Sequence, residues 1–152
     1  MKTKLYIAYG SNMDEGQMAF RCPGAKLRGV SVIEDHRLIF KGSKTGAYAT
    51  LEKEEGHKVP VVLWEIEPTD EHSLDRYEGF PTFYYKEWME LDLDGEKVQG
   101  MVYMMDQDRK LGQPSYHYYK TLEDAYERFG FDKTILEKAL EDSSVEGDED
   151  VY

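Results

Sequence analysis

A single cysteine, Cys22, stands among the 152 residues, which excludes an internal disulfide, a CxxC redox pair and a zinc ribbon. Cys22 is read as a packed thiol. Histidine is scarce as well: His36, His57, His72 and His117 show no paired ligand spacing, so no metal is expected. No apolar run approaches the roughly 20 residues of a membrane span, and the apolar stretch between Met1 and Gly10 is too brief for a secretory leader. The expectation is a soluble, cytoplasmic protein with no membrane partner. Basic residues are the minority, nineteen against thirty-one acidic ones, and the net charge of -12 argues against a nucleic-acid backbone as partner. Internal repeats and linker-like stretches are absent too.

What is present suffices for one domain: 40% of the residues are hydrophobic and 13% aromatic, enough for one sizeable core. That domain is expected over 1–142. From Glu141 onward the chain is acidic and almost devoid of core formers, so 143–152 is expected to be an acidic, disordered tail.

In chain order, Lys4 to Tyr9 is β-rich and apolar, a buried strand ending at Gly10. Gly10, Ser11, Asn12, Met13 and Asp14 are turn and cap residues, with Asn12 or Asp14 placed to cap a short helix towards Cys22. Backbone N–H groups at such a turn suit a carboxylate or a developing oxyanion. Strands are expected over Ala25 to Lys41, Ala47 to Lys53 and Val59 to Ile66, the last two about a polar turn at Glu54 to His57. Phe83 to Leu93 and Lys97 to Met104 form a hairpin across Asp94, Gly95 and Glu96. Ser115 to Phe129 and Asp132 to Leu140 are helical, separated by Gly130. Several short strands with few helices indicate an α+β domain built on a small closed or strongly curved sheet, helices outside.

Between these halves lies the most informative stretch. Glu67, Pro68, Thr69, Asp70 and Glu71 open a helix, and Gly79 followed by Pro81 ends it, which places Glu78 in its last turn. The exposed carbonyls at that end disfavour an anion, and Leu74 four residues earlier puts an apolar neighbour on the same side. Both effects raise the pKa of Glu78, and a carboxyl nearer neutrality suits general acid and base chemistry.

Three separated motifs then carry a resemblance: Tyr9-Gly10-Ser11-Asn12 after the first strand, Leu74-Asp75-Arg76-Tyr77-Glu78-Gly79 after a later one, and Pro114-Ser115 opening the final helices. In this order they resemble the gamma-glutamyl cyclotransferase superfamily, to about Leu140. The resemblance implies a small mixed β-barrel with flanking helices. It implies Glu78 as the acid–base residue and Tyr9, Gly10, Ser11 and Asn12 as the substrate loop. Tyr118 falls where the family's helix-opening motif places a tyrosine and is the candidate for a hydroxyl reaching the pocket, with Tyr84 a second.

The implied reaction needs no cofactor and takes a small-molecule gamma-glutamyl substrate. Its α-amine attacks its own γ-carbonyl, closes 5-oxoproline and releases an amine. Removal of a gamma-glutamyl group from a larger biosynthetic acyl substrate, or a non-catalytic binding module on the same fold, are the alternatives. The leaving group, the oligomeric state and whether the loop binds a carboxylate or an oxyanion stay open at this level.

Overall fold

The computed structural model describes residues 2–144. Its centre is the apolar strand β1 (Lys4–Ala8), flanked on one side by β3 (Tyr48–Ile66), antiparallel to it, and on the other by β5 (Glu96–Met105), parallel to it. Outside these lie β2 (Lys26–Lys41) and β4 (Tyr84–Leu93), giving one five-stranded sheet in the order β2-β3-β1-β5-β4. Being central, β1 is covered on both faces, which is why Tyr6, Ile7 and Ala8 are all buried.

The architecture is the expected α+β one. The two edge strands come together where the Ser31 hydroxyl donates to the Asp92 carbonyl, but no ladder joins β2 to β4. The sheet is therefore strongly curved and open rather than a closed barrel. A second difference concerns Glu54 to His57, expected as a turn between two strands. These residues instead form a bulge within the continuous β3, because β2 carries the pairing past them: Glu34 pairs Lys58 and His36 pairs Lys53. Asp35, at φ 58°, accepts from the Gly56 N–H at 3.0 Å and holds the irregularity. The β4–β5 hairpin turns on Asp94 and Gly95, both at positive φ, the geometry that matches the twist of the strands.

Short helices follow their caps. Asp14 accepts from the Gln17 N–H at 2.9 Å and starts α1 (Glu15–Arg21). Asn12 lies in the preceding one-turn 3-10 helix Ser11–Met13. Helix α2 (Pro68–Glu78) has its proline in the first turn, Asp70 accepting from the Glu67 N–H at 3.0 Å, and Gly79 in the left-handed region at its end. Leu74 anchors it: complete burial of that side chain contributes about 1.5–3 kcal/mol. Ser115 caps α3 (Tyr116–Phe129), which packs on the 3-10 turn, and Asp132 accepts from the Thr134 N–H ahead of α4 (Thr134–Asp142), which lies on β2.

Ser143, the expected first residue of the tail, is fully buried, and its hydroxyl accepts from the Phe40 N–H at 2.8 Å. Packing thus extends one residue past the expected domain end. Residues 145–152 of that tail lie outside the described ones. No described helix is long and apolar enough to cross a membrane.

Candidate active site

At the carboxyl end of β1 the chain must leave the sheet, and the turn from Gly10 to Asn12 does so against the ends of α2 and α3. The space left is a cavity of about 280 Å³ lined by Gly10, Ser11, Asn12, Glu78 and a set of aromatic rings. Tyr9, Tyr84 and Tyr118 line it as well, so every residue proposed for the site from the sequence comes to one place. The elements that deliver them are separate: β1 and its turn, the last turn of α2, the start of β4 and the first turn of α3.

Glu78 is the last residue of α2, half-buried, and its carboxylate accepts no hydrogen bond from any described residue. Burial raises its pKa and the positive charge of Arg21 draws it back part of the way, leaving it at about 7. An acid that is half ionised near neutrality, on the wall of a cavity, can take a proton and return it.

The hydroxyls around it divide by what they already hold. Tyr9 donates to the Tyr103 carbonyl at 2.7 Å, Tyr84 to the Ala49 carbonyl at 2.8 Å, and Tyr103 to the Asp75 carboxylate at 2.6 Å. Their protons are committed, and Tyr9 and Tyr84 offer the cavity mainly ring surface. Tyr6 and Tyr118 are different, because each accepts instead: Tyr6 from the Asn12 carboxamide at 3.1 Å and Tyr118 from the Ala49 N–H at 3.1 Å. A hydroxyl that accepts from the protein keeps its own proton to give. Burial, and after it the negative charge of Glu78, holds the Tyr6 phenol well above its ordinary pKa; burial does the same for Tyr118. Both remain neutral donors.

Gly10 is at φ -117°, outside the left-handed region, so its turn does not require glycine. Space does. A Cβ there would stand 3.1 Å from the Tyr118 hydroxyl and 3.8 Å from the Ala49 Cβ. The Ser11 hydroxyl lies 3.2 Å from that of Tyr77, and the Asn12 carbonyl accepts from the Trp64 indole N–H at 3.0 Å, which locks the turn onto α2 and β3. As the opening residues of a 3-10 turn, Ser11 and Asn12 have N–H groups without a partner inside it.

Sequence reasoning missed Tyr6, Tyr77, Tyr103 and Arg21. Tyr6 sat within a strand read as uniformly buried, and its alternation with Ala8 was the available signal. Arg21 had none, since only the fold brings the end of α1 beside Tyr77.

The sequence model of the family described as gamma-glutamyl cyclotransferase, AIG2-like, matches residues 6–123. A gamma-glutamylcyclotransferase of Bos taurus is 34% identical over an alignment of 88 residues that covers 53% of this chain and 47% of the bovine protein. The matched part thus spans about half the length of that relative. Among solved structures, a gamma-glutamyl cyclotransferase superposes with a TM-score of 0.81 at 25% identity, covering 91% of this chain and 86% of the other. An uncharacterized protein from Homo sapiens gives a TM-score of 0.81 at 27% identity, over 91% of this chain and 87% of that one.

Proposed function

Because the chain belongs to the gamma-glutamyl cyclotransferase, AIG2-like family, we propose that it closes the gamma-glutamyl group of a small substrate to 5-oxoproline, with Glu78 as acid and base. The observation that carries this reading is an unpartnered carboxyl, poised at about 7, on the wall of a cavity of about 280 Å³. The Glu78 carboxylate removes a proton from the substrate's α-amine, whose nitrogen attacks the γ-carbonyl carbon. A tetrahedral oxyanion forms. The neutral Tyr6 and Tyr118 hydroxyls and the N–H groups of Ser11 and Asn12 are the donors suited to it or to the substrate carboxylate. Glu78 then gives its proton to the leaving nitrogen as the γ-carbon–nitrogen bond breaks. No water is consumed and no cofactor takes part. Holding amine and carbonyl together in one small cavity supplies the proximity contribution.

The test is incubation with a panel of gamma-glutamyl amines, amino acids and peptides, with 5-oxoproline as the readout. Release from at least one member is expected. Tight binding across the panel with no 5-oxoproline would turn the reading to a binding module.

A further inference from the structure

Arg21 closes α1, and in a chain with a net charge of -12 its guanidinium has no described carboxylate partner. Its Nη1 donates instead to two neutral oxygens, Asn12 Oδ1 at 2.5 Å and Gln17 Oε1 at 2.7 Å. The guanidinium carbon also stands 3.5 Å from the centre of the Tyr77 ring. This one side chain therefore grips the turn that bounds one wall of the cavity and the helix end that carries the other. It does not line the cavity itself.

We propose that Arg21 is a positioning residue: by fixing the Asn12 carboxamide and the Tyr77 ring together, it holds the Gly10–Asn12 turn in register with the last turn of α2 and places a positive charge with no described carboxylate partner against the helix end that carries Glu78. Each end of the grip has a consequence. Asn12, with its oxygen held by Arg21, can only turn its amino group to Tyr6, and that hydrogen bond orients the Tyr6 hydroxyl. Tyr77, with its ring under the guanidinium, keeps its hydroxyl against Ser11.

The groups that face Glu78 from other elements are Tyr6 of β1, Tyr9 just after it, Tyr84 of β4, Tyr103 of β5 and Tyr118 of α3, all held neutral by burial, and Arg21 of α1. On its own helix Asp75 is paired with Lys86, and Arg76 lines the cavity. Arg21 is thus the cation whose charge favours the ionised carboxyl, while the tyrosines contribute none. A lysine would keep the charge but lose the flat face that lies on Tyr77 while Nη1 holds Asn12.

The inference rests on Glu78 as the acid–base group proposed above, and one experiment separates the two ideas. Carbon-detected NMR titration of the glutamate carboxyls, with Glu78 assigned through Glu78→Gln, is run on the wild type, Arg21→Met and Arg21→Lys without substrate. Steady-state 5-oxoproline release is then measured on the same proteins. In Arg21→Met, Glu78 is expected to titrate at higher pH than in the wild type, and kcat/KM to fall on the order of 10²-fold from the loosened turn. In Arg21→Lys the titration is expected to stay near the wild-type position while kcat/KM still falls. An unmoved Glu78 in Arg21→Met overturns the electrostatic part, and wild-type kcat/KM in Arg21→Lys overturns the positioning part. Should Arg21→Met fail to fold, the lysine variant decides the positioning alone. The titration needs no turnover, so it stands even if no gamma-glutamyl compound proves to be a substrate.

Discussion

Two of the described carboxylates that are withdrawn from water, Glu52 and Glu78, show opposite results. Glu52 on β3 lies between Lys41 and Arg37, and Arg37 reaches on to Asp142 at the end of α4. Burial pushes its pKa up, but the hydrogen bonds and charges of the two cations outweigh that and hold it below its ordinary range. Glu78 is withdrawn more deeply and has no such partners, and it rises to about 7. Burial by itself decides neither charge nor role. A satisfied carboxylate joins α4 to the sheet; an unsatisfied one on a cavity wall is available for proton transfer.

The strongest way to break this contrast is to neutralise each group. Glu78→Gln is expected to keep the fold and to lower 5-oxoproline release by on the order of 10² to 10⁴, the range for a lost acid–base group; near-wild-type release would sink the mechanism. Glu52→Gln should do the reverse. It takes the carboxylate from Lys41, whose side chain is only 5% exposed and is left with the neutral Gln107 carbonyl, and costs on the order of 3 kcal/mol of stability by denaturant unfolding, with kcat/KM little changed once the protein is folded.

Smaller effects sharpen the same comparison through pH. The folded pKa of Glu78 lies above its ordinary 4.5, so its contribution to stability is complete below 4.5 and is lost as pH rises through about 7. Glu78→Gln, which has no charge to bury, should therefore melt progressively higher relative to wild type between pH 5 and pH 8. The gap should be about 1–3 kcal/mol, the lower figure allowing for water in the cavity. Glu52 has the opposite sign: its stabilisation is present above the ordinary carboxylate value and fades as pH falls through its lowered one, so the cost of Glu52→Gln should shrink in acid. A Tm difference for Glu78→Gln that is flat with pH would mean the carboxyl is ordinary. The smallest expected effect is at Ser143→Ala, which leaves the buried Phe40 N–H without its acceptor and costs about 1 kcal/mol, while truncation after Ser144 retains it.

Much of this was legible in the chain. The Asp94-Gly95 turn, the Gly79 stop and the Asp14 and Ser115 caps are local chemistry, written in adjacent residues, and each appears in the structure. Glu78 was legible for the same reason, since a helix end is a local event. What escaped was set by distant partners. The Glu54–His57 segment looks like a turn until β2 is seen to span it, and Ser143 looks like tail until Phe40 supplies its donor. The sorting of tyrosines into committed and available hydroxyls depends on single acceptors such as the carbonyls of Ala49 and Tyr103, which no spacing rule encodes.

The parallel pairing of β1 with β5 has a consequence in time as well as in space. Leu5 and Tyr6 meet Gly100 and Met101, and Tyr9 reaches Tyr103, so the first strand made is completed by one of the last. Closing a loop of that length is an entropic obstacle which the earlier β2–β3 hairpin does not face. On a ribosome, β1 must wait with one edge unpaired until β5 and then α3 emerge. No form of the chain cut back into the matched region, and no half-folded one, can hold the cavity, because its walls come from residues near both limits of that region. Turnover, if present, is then a late signal, one that reports arrival at the finished structure and not any earlier stage.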